Sequence, residues 1–517
     1  MFKLKKMKAF FSQYWILILF VSVKFILQFT LVNSVYELHR DEFLHLDQAN
    51  HLAFGFISTP PFTSLVSRLI FLLGGGVFWV HFFPAFFGAM TIVFVWLIVE
   101  SIGGNLLSKI LASSAILFSV LVRINMLFQP NSFDILAWTM IFYLLIKQVQ
   151  TNNTKWLYYL AIVVAMGFYN KYNLVFLLGG LFVGLLLTSQ RKLFVNVSFW
   201  KAIFVLVLLL LPNLIWQVVY HFPVIEHMKA LKATQLDNNS SISFLKDQVL
   251  FFSGSMVLIV SAIIAFLFYK PFKSYRFIGI CFMVVIILFT LLKAKNYYAF
   301  GLYPVTFAFG SVCLERILSR KWRLTLVPLL ISLNLAGFVF TAKLIYPLST
   351  PLEIKQNSAA LEKLGLLRWE DGQNHALPQD FADMVGWREM AEKSLSAYLL
   401  IPENERAKTL VFCDNYGQSG ALNYYNRKKM PLAYSFNTDY IYWLPRLDAI
   451  KNVVLVGNKP EKELIAMFRS VKLVGVIENE YAREKGTRVY LMSGAKSGFT
   501  QTFYTLADNR IKTFEIF

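Results

Sequence analysis

The sequence predicts a polytopic α-helical membrane protein, with about eleven transmembrane helices in residues 1–344 and a C-terminal soluble α/β domain in residues 345–517. Three observations predict it. Of 517 residues, 57% are hydrophobic and 15% charged, and the mean hydropathy is +0.54; a soluble domain is roughly 45–50% apolar and 25% charged. Apolar runs repeatedly approach or reach the ~20 residues that a helix needs to cross a bilayer. The charge is unevenly spread: residues 1–344 hold 28 basic and 10 acidic residues, residues 345–517 hold 22 and 20. An ordinary cytosolic enzyme and a disordered chain are thereby excluded. So is a nucleic-acid partner, because the basic surplus lies among apolar segments, where it orients spans and meets anionic lipid head groups. Cys281, Cys313 and Cys413 form neither a disulfide framework nor a zinc spacing.

The N-terminus MFKLKKMKAF precedes an apolar run from Tyr14 to about Val32. The run is too long for a signal peptide and no small-residue cleavage site follows, so it reads as an uncleaved first span with its N-terminus inside. Further spans are expected at about 77–99, 105–122, 131–147, 156–169, 173–188, 201–220, 249–269, 276–292, 298–315 and 324–344. An inside start puts Arg191, Lys192, Lys201, Lys270, Lys273, Arg276, Arg316, Arg320, Lys321 and Arg323 in inner loops, as the positive-inside rule demands. Glu37, Asp41, Glu42, Asp47, Asp134, Glu226, Asp237 and Asp247 then fall outside. An odd span count places residues 345–517 outside too. In that tail, TLVFC (409–413), NVVLV (452–456) and RVYLM (488–492) read as strands, with helical patterns at Gly417–Tyr425 and Glu461–Ser470. Alternation of this kind argues an α/β domain with a largely parallel sheet.

The first outer loop, residues 36–69, carries the chemistry-bearing residues. Asp41 and Glu42 are adjacent acids near the membrane surface, Asp47 follows, then HLAFGF (51–56) and Pro60-Pro61. Low dielectric disfavours a carboxylate's charged form, so the expectation is a raised proton affinity suited to a base. The plainer reading is that these acids cap a helix or keep the loop outside. Asp41 and His45 stand one helical turn apart, a spacing compatible with a divalent metal ion, although a hydrogen-bonded loop histidine is the commoner outcome. No other cofactor is called for. Without a Gly-rich phosphate-binding motif, nucleotide-sugar chemistry on the cytoplasmic face is disfavoured. The 221–248 loop, with Asp237-Asn238-Asn239-Ser240-Ser241, reads as a solvated connector or as a lid.

The run DEFLHLDQANHLAFGFISTPPF resembles the first-loop signature of the polytopic GT-C glycosyltransferases, and is similar to bacterial members of glycosyltransferase family 39, the dolichyl-phosphate-mannose-protein mannosyltransferase superfamily. Phe133-Asp134, Asn170-Lys171-Tyr172, LPNLIW (211–216) with His221-Phe222-Pro223, Lys295-Asn296-Tyr297-Tyr298 and Leu302-Tyr303-Pro304 fit the same pattern. So do DFADMVGWREMAE (380–392), NYGQSGALNYY (415–425) and VVLVG (453–457). The resemblance implies transfer of a hexose or pentose, with inversion, from a polyprenyl-phosphate-linked donor to a glycan, lipid or protein hydroxyl on the outer face of the inner membrane. It makes Asp41 the base and Glu42 its orienting neighbour. Lys171, Lys295, Tyr297, Tyr298 and Arg123 would bind the donor phosphate, with Lys293 a further cation. His45, Asp47, His51 and Asp134 would support the site or meet the acceptor. The competing reading is a non-enzymatic lipid or solute transporter with an accessory domain. A transporter should carry charges at mid-membrane, whereas most of these acids fall at the outer ends.

Overall fold

The computed structural model describes residues 2–234 and 240–515. Asp237, Asn238 and Asn239, read above as part of the connector, lie outside them. The packing divides the chain into two compact units. One comprises Met1–Val32, Phe78–Val218 and Gln235–Leu348; the other comprises Asn33–Val77, Val219–Thr234 and Ser349–Phe517. The first loop thus folds as part of the same unit as the C-terminal tail.

The first unit is helical, and each apolar run read from the sequence forms a helix. Six helices are long and apolar enough to cross a membrane: Val77–Ser101, Pro130–Thr151, Val197–Val219, Lys270–Leu291, Asn296–Ile317 and Arg320–Ile345. Counting each of two bent pairs, Leu174–Leu186 with Ser189–Val195 and Ser241–Phe251 with Ser253–Phe268, as one span gives up to eight among the described residues. Shorter apolar helices accompany these: Phe62–Leu72 and Leu106–Leu117. Leu106–Leu117 has 12 residues, which at 1.5 Å each reaches ~18 Å of the ~30 Å hydrocarbon core. Lys155–Asn170, at 16 residues, is longer but still below that thickness, whereas the first helix runs Phe2–Thr30, 29 residues. The core of this unit is a continuous apolar cluster that includes Trp96, Trp138, Phe142, Phe277 and Phe307.

The second unit is built on a five-stranded sheet of order β2-β1-β3-β5-β4. Its strands are β1 (Thr409–Cys413), β2 (Ala433–Ser435), β3 (Asn452–Gly457), β4 (Phe468–Val476) and β5 (Arg488–Ala495). β1 pairs parallel with β2 and β3, while β5 pairs antiparallel with β3 and β4. The sheet is thus mixed rather than largely parallel. The expected helix at Glu461–Ser470 shrinks to Lys462–Ala466, and β4 starts at Phe468. β4 is an edge strand with exposed Arg469 and Lys472, so it lacks the unbroken apolar run that marks a central strand.

Two short helices carry the first-loop acids and their partners. Helix Arg40–Asp47 begins with a capping box: His39 Nδ1 accepts from the Asp41 N–H at 3.1 Å and Glu42 Oε2 accepts from the His39 N–H at 2.7 Å. Helix Tyr416–Tyr425 begins with a second one, built by Asn415 and Gln418. The two helices pack through Gly417 and Gly420. A Cβ on Gly417 would stand 2.6 Å from Arg40 Cγ, and one on Gly420 would stand 2.8 Å from Phe43 Cβ. The NYGQSGALNYY segment is therefore a cap followed by a close-packing glycine face.

Candidate functional site

In the second unit, half-buried Asp41 sits in the first turn of helix Arg40–Asp47. The Tyr416 hydroxyl donates to Asp41 Oδ1 at 2.7 Å. The Arg40 guanidinium lies 4.2 Å from the centre of the Tyr416 ring. Burial pushes the Asp41 carboxyl up, but His39, the Tyr416 hydroxyl, Arg40 and His45 together pull it below the ordinary carboxylate range. This corrects the expectation of a raised proton affinity. A low-dielectric setting raises a carboxyl only when nothing cationic or hydrogen-bonding compensates, and here four neighbours do.

The loop is clasped by the 380–392 segment. Arg40 N donates to Asp383 O at 3.0 Å and Glu37 N to Met384 O at 2.7 Å. The Arg388 N–H donates to Glu37 Oε2 at 2.8 Å. The Asp383 carboxylate faces His39 Nε2 at 3.8 Å and Arg483 at 3.2 Å. Trp387 Nε1 donates to Asp383 O at 2.8 Å, and its ring meets Phe43 edge-on at 5.7 Å. Phe43 is fully buried, with the Tyr424 and Tyr425 rings each 5.8 Å away.

The other first-loop candidates are placed as follows. Glu42 is buried and serves the helix cap. His45 Nδ1 and Gln48 Oε1 lie 3.4 Å apart, and burial lowers the imidazole's proton affinity against the pull of Asp41. Asp47 accepts from Asn423 at 2.6 Å and from Asn50 at 2.8 Å, and burial raises its carboxyl. His51 stacks on Trp443 with ring centres 4.2 Å apart, and burial takes it down to about 4. Among the described residues no group of three or more His, Cys, Asp or Glu side chains is arranged to hold a metal ion.

In the first unit the structure brings together Lys171, Lys295, Tyr297, Tyr298 and Asp134. Lys171 follows helix Lys155–Asn170 in extended conformation. Its Nζ donates to Asn131 Oδ1 at 2.7 Å and lies 4.4 Å and 5.0 Å from the centres of the Tyr298 and Tyr297 rings. Asp134 and Lys295 both act on it electrostatically. Asn173 ties the cluster together by donating to Asp134 Oδ2 and to Tyr298 O, each at 3.1 Å. Trp138 Nε1 donates to Asp134 Oδ1 at 2.9 Å. Arg123, buried on helix Leu121–Ile124, acts electrostatically on Tyr346.

Sequence reasoning assigned no role to Arg40, Tyr416, Asp383 or Asp439. Asp439 is buried and accepts from Ile57 N at 2.5 Å, Ser58 Oγ at 2.9 Å and Gln48 Nε2 at 3.1 Å, and burial lifts it to about 6. Tyr416 lay inside a segment already recognised as family-like; Asp439 carried no local signal.

Residues 58–216 match the family model of dolichyl-phosphate-mannose-protein mannosyltransferases. The match spans less than half of the chain and starts beyond Asp41. The chain is similar to ArnT from Cupriavidus metallidurans bound to undecaprenyl phosphate, at 13% identity and TM-score 0.59, over 92% of this chain and 98% of that one. It is also similar to the oligosaccharyltransferase AglB from Archaeoglobus fulgidus in complex with an inhibitory peptide and a dolichol-phosphate, at 11% identity and TM-score 0.51, over 86% and 70% of the two chains. No curated protein matches it in sequence. The fold is that of the GT-C membrane glycosyltransferases, as the first-loop resemblance implied.

Proposed function

We propose that the chain is an inverting glycosyltransferase that moves a hexose or pentose from a polyprenyl phosphate to a hydroxyl on a glycan, lipid or protein. The reading sets the reaction on the outer face of the inner membrane, with residues 345–517 extracytoplasmic. The observation that carries it is Asp41, a half-buried carboxylate held ionised by His39, Arg40 and a hydroxyl bond from Tyr416. It is supported by likeness across nearly the whole chain to a protein bound to undecaprenyl phosphate.

Asp41 orients the acceptor hydroxyl as its oxygen attacks the anomeric carbon, and accepts the proton once the new C–O bond has formed. Glu42, through the helix cap, fixes the direction of Asp41. The anomeric C–O bond breaks and the polyprenyl phosphate leaves with the electron pair. A phosphate is a stable anion, so the leaving group needs charge stabilisation more than protonation. Lys171 and Lys295 supply that charge, with Tyr297 and Tyr298 as hydroxyl donors and Arg123 as a further cation. Asp134 acts on Lys171 electrostatically and is tied by Asn173 to the Tyr298 carbonyl. His45, Asp47 and His51 shape the acceptor side through Gln48, Asn423 and Trp443.

The test is transfer from labelled undecaprenyl-phosphate sugar in reconstituted membranes. Asp41→Asn should abolish product at unchanged donor binding, and Lys171→Met should raise the donor KM. Wild-type transfer by Asp41→Asn would remove that residue from the chemistry. Movement of labelled lipid across the membrane without a new glycosidic bond would replace the enzyme by a transporter.

A further inference from the structure

The second unit holds a cavity of about 560 Å³ that the transfer chemistry does not use. Sites for small molecules typically measure about 300–1,000 Å³. It lies over one face of the sheet, between β1, β3 and the helix Phe499–Thr513, and its lining includes Phe412, Phe436, Phe468, Phe499 and Phe503. Those rings form a continuous wall: Phe436 to Phe412 at 4.7 Å, Phe412 to Phe503 at 5.3 Å, Phe503 to Phe499 at 6.2 Å, Phe499 to Phe468 at 4.7 Å. Met467 and Met492 add flexible, polarizable surface.

The polar lining gathers at the carboxyl ends of the parallel strands. Asp414 follows β1, Asn458 and Lys459 follow β3, Glu461 precedes helix Lys462–Ala466, and Arg510 lies in the last turn of the helix beside Phe436. The chain leaves β1 for β2 and returns to β3 on the other side of β1. That is a switch point, where α/β sheets bind ligands. Asp414 is exposed at the rim and fixed there: its Oδ2 accepts from Asn458 N at 2.7 Å and Nδ2 at 3.0 Å, and a Cβ on Gly457 would collide with this carboxylate. Arg510 has no ion-pair partner among the described residues. Its guanidinium packs on the Phe436 ring at 5.1 Å, and its buried Nε has no hydrogen-bond partner.

We propose that this cavity binds an amphipath with a single alkyl chain and an anionic head, the chain along the phenylalanine wall and the head on Arg510. The head is a carboxylate or a phosphate. The site goes beyond glycosyl transfer, and its test needs no donor. Full-length protein in phosphatidylcholine nanodiscs is titrated with dansyl-labelled undecanoate, with empty nanodiscs subtracted. Saturable binding is expected, displaced by dodecanoate or dodecyl phosphate; the stronger competitor identifies the head. Neutral dodecanol should compete about tenfold less well, the value of one charge-assisted bond. Arg510→Gln should erase that preference. Thr502→Trp, at an exposed position of the lining, should block the cavity while leaving thermal unfolding unchanged. Binding no greater than to empty nanodiscs, equal binding by Thr502→Trp, or an anion preference that survives Arg510→Gln overturns the proposal.

Discussion

A single methyl group at Gly420 tests how Asp41 is held. In Gly420→Ala the new Cβ would stand 2.8 Å from Phe43 Cβ and from the Tyr440 hydroxyl, and 3.0 Å from the Phe43 carbonyl carbon. The Phe43 atoms are backbone or next to it and cannot swing aside, so the helices Tyr416–Tyr425 and Arg40–Asp47 must separate. Overpacking of this kind costs ~1–3 kcal/mol, against which alanine's helix propensity returns ~1 kcal/mol. A net loss of up to ~2 kcal/mol is expected. Gly179 is the control. It lies inside helix Leu174–Leu186, and nothing comes within 4 Å of its Cβ position. Gly179→Ala should therefore stabilise by up to ~1 kcal/mol, the opposite sign. Thermal unfolding of both variants in one detergent reads the difference. Transfer reads the consequence, because widening the gap between the helices stretches the 2.7 Å bond from Tyr416 to Asp41. If Gly420→Ala melts like Gly179→Ala and transfers like wild type, the glycine face does not position Asp41.

Tyr416→Phe removes a donor to an ionised acceptor, a bond worth ~1.5–3 kcal/mol. Asp41 then gains proton affinity, so the acid limb of the pH–rate profile should move to higher pH; an unmoved limb refutes the assignment. Asp439, lifted to about 6 by burial, binds its proton more tightly folded than unfolded. Its contribution to stability is present below about pH 4 and lost as pH rises through about 6, a swing of at most ~3 kcal/mol. Asp439→Asn should flatten that part of a melting-temperature-against-pH curve. Gly457→Ala forces the Asp414 carboxylate away from Asn458 and should destabilise by ~1–3 kcal/mol, read by denaturant titration of the full chain.

What the sequence reveals of this protein follows the range of the interactions involved. Apolar runs are local, so each surfaced as a helix; whether a helix is long enough to span depends on its ends, and Leu106–Leu117 is too short. β1, β3 and β5 are buried and β-branched, and their cores were legible. β4 lies at an edge and its apolar residues are broken by Arg469, Ser470 and Lys472, so it carries no continuous apolar run. Lys171, Lys295, Tyr297 and Tyr298 stood out as cations and hydroxyls in family-like motifs. The tie through Asn131 and Asn173 needs the fold, as does Tyr416, 375 positions from Asp41. The expected rise in Asp41's proton affinity erred for the same reason. Burial near a membrane is readable from position, but the opposing hydroxyl and charges come from side chains that only folding assembles.

A carboxylate held below its ordinary range is a weak base, and under the proposed reaction that constrains when the proton moves. An unreacted acceptor hydroxyl is far too weak an acid to lose its proton to Asp41 at the outset. As the new glycosidic bond forms, the attacking oxygen acquires positive charge and becomes strongly acidic, and even a weak carboxylate base then accepts the proton downhill. Proton transfer therefore follows bond formation instead of driving it. Before that point, Asp41 accepts a hydrogen bond from the nucleophile and sets its line of attack. Bond breaking to the phosphate must then lead, which places the main catalytic demand on the cations that receive the leaving group. Substituting Lys171 should accordingly depress transfer more with a poorer leaving group than with a better one. Replacing Asp41 by Glu should retain measurable transfer with a strengthened dependence on acceptor concentration, because what is lost is orientation. A leaving-group effect that is the same in Lys171→Met as in the wild type would show that departure of the phosphate is not the step these residues assist.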